Sequence, residues 1–263
     1  MNLNKNNLEK LLSGGLIGKK IHYLNEVDST NKYAWKLALN GAVEGEVVLA
    51  DSQTMGRGRM GNQWQSPPGC NLYASCILRP SIKPFLAPQL TLTAGVAVAE
   101  LLTHYCPGRV FLKWPNDVLI GEKKICGILT EMSVKNNAVD FIILGIGVNI
   151  NMRAIDLKED YRKKATSLKE ETSRHIFRAD FTASLFRSFE KWYRSFISEG
   201  FDSVKERWTH LSEIVGKPIE VDEGDKIRRG IALGINEYGA LLFIDDNKTI
   251  RDIVSGDVGR IGD

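Results

Sequence analysis

Four apolar segments lie between residues 110 and 146 with no room for a helix between any two of them. They span 110–113, 118–120, 124–132 and 140–146, and only tight turns separate them, the last being Lys135-Asn136-Asn137. Segments this close must pair antiparallel, because a parallel return needs a crossover of about a dozen residues or more. The last segment is almost wholly apolar and belongs at the centre of a sheet.

The flanking sequence adds helices to that sheet. Residues 3–12 suit a short helix that ends at Gly14-Gly15. A strand over 21–27 leads to Asp28-Ser29, which can cap a helix over 30–39 with Gly41 beyond its end. A strand at 46–50 is followed by a loop over 51–70, a strand at 71–78 and an apolar helix over 88–105 stopped by Pro107-Gly108. Residues 152–175 are polar and read as a mobile loop. Two amphipathic helices, 179–198 and 201–211, meet at Gly200. After Glu213 short strands alternate with turn signals such as Asn236-Glu237-Tyr238-Gly239, the texture of a small barrel. The expected fold is therefore α+β: a mostly antiparallel mixed sheet flanked by helices over 1–213, and a small β-barrel over 214–263.

Charge and cysteine usage narrow the class. A net charge of +3 on 35 basic and 32 acidic side chains is far from the basic stripe of a nucleic-acid binder, so no DNA partner is expected. The first twenty residues leave no room for a winged-helix reader. The start has no signal-peptide core, and no apolar run reaches the ~18 residues of a membrane helix. Cys70, Cys76, Cys106 and Cys126 form no C-x-x-C pair, and the four histidines are scattered. A cytoplasmic protein with free thiols, no zinc site and no membrane partner is the expectation.

Two constellations carry chemistry. Gly56-Arg57-Gly58-Arg59-Met60-Gly61 has the G-x-G-x-x-G spacing, but turn residues follow where a dinucleotide fold needs a helix. What is left is a main-chain-rich loop with two guanidiniums, suited to phosphate or carboxylate. The segment from Gly14 to Lys20 is one residue short of a phosphate loop and has Lys20 where a hydroxyl should bind magnesium. The second constellation is Lys113-Trp114-Pro115-Asn116-Asp117 and, seven residues on, Lys124. A hairpin brings the two lysines to one end of the sheet, and Pro115 fixes Asn116 and Asp117 in the turn. Gly127 inside a strand implies close approach of a ligand or another backbone. Gly145-Ile146-Gly147-Val148-Asn149 makes a further glycine-rich corner.

Taken together, GRGRMGNQW at 56–64, KWPNDVLIGEKKICGIL at 113–129 and GIGVNIN at 145–151 resemble the biotin protein ligases. Asp28-Ser29-Thr30-Asn31 at a helix start is a fourth, weaker match. The resemblance runs from about residue 20 to the C-terminus and implies an SH3-like C-terminal barrel. Lipoate ligases share the fold but not the GRGR loop or the KWPND turn. The bifunctional repressor members carry an N-terminal DNA-binding domain that this chain does not, so it looks like the single-function type. Met60 stands where some members have another residue.

The resemblance implies a two-step reaction with ATP and its Mg²⁺: biotin to biotinyl-5′-AMP, then transfer to a lysine of a biotin carboxyl carrier protein. It implies that Ser29, Thr30, Asn31 and Gln53 line the biotin pocket, while Arg57, Gly58 and Arg59 close over carboxylate and phosphate. Lys124, Arg59, Lys113 and Asp117 are the catalytic candidates, because negative charge builds near one phosphate in both steps. Asp117 would serve the attacking amine or a magnesium ion. Trp64 is a candidate adenine platform or a core residue. Lys113, Asn116 and Asn149 are candidates for the nucleotide. No metal ligand is assigned, and an exposed sheet edge would allow a homodimer. The alternatives are a lipoate or octanoate ligase of the same fold and, from another class, a DNA-binding regulator.

Overall fold

The computed structural model describes residues 3, 5–157 and 159–260, so Asn4 of the first expected helix and residues 261–263 of the second domain lie outside the described residues. Helix α1 (Lys5–Leu11) precedes β1 (Lys20–Val27), α2 (Thr30–Leu39), β2 (Glu46–Gln53) and β3 (Leu72–Leu78). Helix α3 (Ala87–Thr103) leads to β4 (Val110–Lys113), β5 (Asp117–Ile120), β6 (Lys123–Lys135) and β7 (Ala138–Val148). The order in the sheet is β1-β2-β3-β7-β6-β5-β4. Only β1 and β2 run parallel; every other neighbour pair is antiparallel. The mixed, mostly antiparallel sheet follows from the tight turns between β4 and β7.

Alternation along the central strands sends side chains to two different cores. Val47, Leu49, Leu144 and Ile146 point to the face covered by α3, α6 (Arg178–Glu199) and α7 (Asp202–Leu211). Val48, Ile77, Phe141 and Ile143 point the other way, beneath α2. The stretch Pro84–Thr103 is apolar enough, by length and composition, to cross a membrane, which scanning for unbroken apolar runs missed. Here it is a core helix: Leu90, Val96, Ala99 and Leu102 are fully buried. A helix apolar on all sides suits a position between a sheet and two other helices.

The polar stretch 152–175 is not the structureless loop its composition suggests. It folds into a 3₁₀ turn and two short helices, α4 (Glu159–Arg162) and α5 (Leu168–Thr172). Ser167 caps α5 by accepting the Glu170 N–H at 3.2 Å, so Ser-x-x-Glu was the legible signal. Main-chain bonds from Lys124 N to Lys164 O and from Thr166 N to Lys124 O, 2.9 and 3.0 Å, fasten the stretch to β6.

The last strands, β8 (Pro218–Asp222), β9 (Ile227–Ile235), β10 (Leu241–Asp245), β11 (Ile250–Ile253) and β12 (Asp257–Arg260), form a second antiparallel sheet in the order β11-β10-β9-β8-β12. Among the described residues β11 and β12 do not pair, so the small SH3-like barrel expected here takes the form of a five-stranded antiparallel sheet with no closed barrel. It docks through its 236–239 turn. The buried Trp114 indole N–H donates to Gly239 O at 3.1 Å, and Gln89 Nε2 donates to Glu237 O at 2.6 Å. The second sheet is thereby held against the KWPND turn, whose Trp114–Pro115 peptide is cis.

Candidate active site

On the α2 face, three glycines of the sheet leave a hollow. Gly127 pairs with Gly147 across β6 and β7, and Gly145 pairs with Leu129. A Cβ at Gly145 would lie 2.2 Å from Asn31 Oδ1. One at Gly147 would lie 2.7 Å from the Trp64 ring, and one at Gly127 would lie 3.0 Å from it. The glycines therefore inlay two side chains into the sheet surface. For Gly127 the close neighbour is an indole, where the sequence suggested a ligand or a backbone. The hollow opens into a pocket of about 400 Å³ lined by every residue that the sequence offered as a biotin, nucleotide or catalytic candidate.

One end of the pocket is a buried chain of amides and hydroxyls. Ser29 sits at the N-cap of α2 in extended conformation, but its side chain makes no capping bond. Gln53, from β2, does the capping: its Oε1 accepts the Thr30 N–H at 2.9 Å and the Thr30 hydroxyl at 3.1 Å. The expected Asp28-Ser29 cap is thus replaced by a partner across the sheet, and the Ser29 hydroxyl stays available to the pocket. Gln53 Nε2 is held by Ser66 Oγ. Ser75, fully buried in β3, gives its one hydroxyl hydrogen to Asn31 Oδ1 at 2.6 Å, with Thr30 Oγ1 2.9 Å away. Such a set of fixed donors and acceptors suits a ligand with N–H groups and a carbonyl, and would penalise an alkyl chain.

The middle of the pocket is cationic. Lys124 Nζ lies 2.6 Å from Asp117 Oδ1 and 5.6 Å from the Trp64 ring centre. An ammonium has three donors, so the pairing with Asp117 leaves two for a ligand. Arg57 pairs with Glu131 at 2.9 Å. Arg59 reaches Gly256 O at 3.3 Å, Asn116 Oδ1 at 3.5 Å and Asp257 Oδ1 at 3.8 Å. The glycine loop is itself a small hairpin: Trp64 N donates to Gly56 O, and Gly58 N to Asn62 O. Five cations, Arg57, Arg59, Lys113, Lys124 and Lys164, face two carboxylates, Asp117 and Asp257, along the pocket wall. The excess of positive charge favours an anion there.

The far wall was not foreseen. Leu157, Tyr161, Lys164 and Ala165 come from the polar stretch read as mobile, and they line the pocket with Asn149, itself buried and bonded to Ile125 O. Asp257 comes from the second sheet. Trp64 lies over Gly127 and Gly147, and the Lys124 ammonium is 5.6 Å from its ring centre. Among the described residues no three His, Cys, Asp or Glu side chains gather as a metal site. Burial pushes the Cys70 thiol up to about 11 and the Cys76 thiol up to about 12, so neither supplies a thiolate near neutral pH.

The inlay of Asn31 gives a direct test of the hollow. Gly145→Ala would drive a methyl into the Asn31 carboxamide and displace it, while the strand keeps its backbone pairing. Affinity for the ligand of the polar end should fall about 10- to 100-fold, the loss of one or two buried hydrogen bonds. Calorimetric titration of the folded variant checks this; unchanged affinity would show that Asn31 is not part of the binding surface.

Comparison with known proteins agrees with this geometry. Residues 23–149 match the biotin/lipoate A/B protein ligase family, and 214–259 match the biotin protein ligase C-terminal domain. The bifunctional ligase/repressor BirA of Bacillus subtilis is 38% identical over 92% of this chain and 74% of its own length. The biotin–[acetyl-CoA-carboxylase] ligase of Paracoccus denitrificans is 34% identical over 84% of this chain and 92% of its own. The biotin protein ligase of Aquifex aeolicus, solved in complex with biotin and ATP, superposes with a TM-score of 0.78 at 31% identity, covering 92% of this chain and 99% of that one. Sheet order, glycine hollow, cationic loop and these likenesses together place the chain among the biotin protein ligases, within the biotin/lipoate A/B protein ligase family.

Proposed function

We propose that this protein activates biotin with ATP and transfers it to a lysine of a biotin carboxyl carrier protein. In the first step a biotin carboxylate oxygen attacks the α-phosphorus of ATP and pyrophosphate leaves; a magnesium ion arriving with ATP would neutralise phosphate charge. In the second, the carrier lysine amine attacks the acyl carbon; AMP leaves and the amine loses a proton. No covalent enzyme intermediate is needed, in keeping with the protonated thiols. The observation that carries this reading is a single pocket joining a buried amide-hydroxyl end to a cationic centre.

The residues divide accordingly. Ser29, Thr30, Asn31 and Gln53 take the ureido ring. Lys124, Lys113, Arg57 and Arg59, with the Gly58 main chain, take the carboxylate and α-phosphate, whose charge grows in both transition states. Asp117 aims the Lys124 ammonium. Asn116, Asn149, Trp64 and the 157–165 wall are left for the nucleotide. A lipoate or octanoate substrate would leave the Ser29 hydroxyl and the open lone pair of Asn31 Oδ1 without partners, at about 1–3 kcal/mol for each.

ATP–pyrophosphate exchange with biotin, lipoate and octanoate offered side by side tests the proposal. Exchange driven by biotin at least about 100-fold more efficiently than by either fatty acid is the expected result. Preference for lipoate or octanoate would overturn it.

A further inference from the structure

Glu131 lies on β6, opposite Ile143 of β7, and none of the sequence motifs includes it. Its two carboxylate oxygens do different work. Oε2 accepts from Asn31 Nδ2 at 2.8 Å, and Oε1 accepts from Arg57 Nη1 at 2.9 Å. The side chain is about a quarter exposed, at 24%. Glu131 thus joins the amide end of the pocket to the first arginine of the glycine loop.

The valences of Asn31 make that link consequential. A carboxamide nitrogen has two hydrogens, and both are taken: one by Glu131, the other by Leu129 O at 3.2 Å. Neither partner has a hydrogen to give, so the carboxamide cannot be turned over without setting an oxygen against two acceptors. Its Oδ1 receives the Ser75 hydroxyl at 2.6 Å and keeps one lone pair. With Glu131 in place, Asn31 can offer a ligand an acceptor and nothing else.

We infer that Glu131 is the positioning residue that sets this pocket's specificity for a ligand with an N–H donor. It acts through Asn31, and through the same carboxylate it anchors Arg57 beside the ligand. The inference rests on the biotin reading, in which the donor is a ureido N–H. It also explains why a carboxylate stands beside a pocket for an anionic substrate. Its charge is spent on Arg57, and its second oxygen dictates the orientation of an amide.

The test is Glu131→Gln, which keeps shape and removes charge. A glutamine must put its NH₂ against either Asn31 Nδ2 or Arg57, so one of the two contacts becomes donor against donor. Pyrophosphate exchange should show KM for biotin raised about 10- to 100-fold, the range for losing one charge-assisted hydrogen bond. KM for ATP should stay within about threefold of wild type, and kcat should fall by less than KM for biotin rises, because Lys124, Lys113 and Arg59 still face the phosphate when Arg57 loses its anchor. An unchanged KM for biotin overturns the inference. So does a fall in kcat with an equal rise in both KM values, which would make Glu131 a structural prop. If the wild-type chain itself shows no biotin-dependent exchange, the functional reading fails first and this inference goes with it.

Discussion

Truncating Lys124 to alanine should lower adenylate synthesis and carrier transfer together, each by about 10²–10³. Both steps place negative charge on the same phosphate, so one ammonium serves both. The side chain lies where the pocket is most cationic, held by Asp117 at 2.6 Å and facing the Trp64 ring. The fold should survive, because what binds the 157–165 wall to this position is main chain: Lys124 N to Lys164 O and Thr166 N to Lys124 O. Losing the largely buried ion pair with Asp117, whose side chain is 19% exposed, costs about 1–3 kcal/mol. Single-turnover assays that follow biotinyl-5′-AMP formation and its consumption by carrier separate the two steps. Near-normal rates of both steps in a folded variant would remove Lys124 from the site; loss of transfer alone would restrict it to the second step.

The parts of this protein that were legible in the sequence are those governed by local spacing. Turns too short for a helix gave the antiparallel run from β4 to β7, and the inward glycines of 127–147 announced a close approach. The parts that were not legible depend on partners distant in sequence. The capping of α2 comes from Gln53, 23 residues away, and displaced the local Asp28-Ser29 cap. Glu131 meets Asn31 across 100 residues. Ser75 carried a faint signal, a hydroxyl in the otherwise apolar, fully buried strand Leu72–Leu78. The 152–175 stretch misled because its order comes from main-chain bonds to β6 and one serine cap, and composition records neither. Of the SH3-like expectation, the strands and their turns were visible, but not whether the end strands meet.

Arg59→Gly should uncouple synthesis from retention. The adenylate is a mixed anhydride that must be kept from water until the carrier arrives. Arg59 is placed to hold it: the guanidinium is tethered to Gly256 O, Asn116 Oδ1 and Asp257 Oδ1 by contacts of 3.3 to 3.8 Å. These contacts are long, and Asp257 is well exposed, so a phosphate offering a two-pronged partner would displace them. In the bound state Arg59 would then exchange the second sheet for the phosphate, closing the loop over the intermediate. Removing a bidentate contact of about 3–4 kcal/mol should speed adenylate escape about 10²–10³-fold. Lys124 and Arg57 remain for the first step, so synthesis should persist in part. Escaped biotinyl-5′-AMP acylates any accessible amine, and serum albumin incubated with the variant, biotin and ATP should become labelled. Wild-type behaviour would make Arg59 a surface residue with no part in retention. Loss of all labelling, carrier and albumin alike, would assign Arg59 to the first step instead.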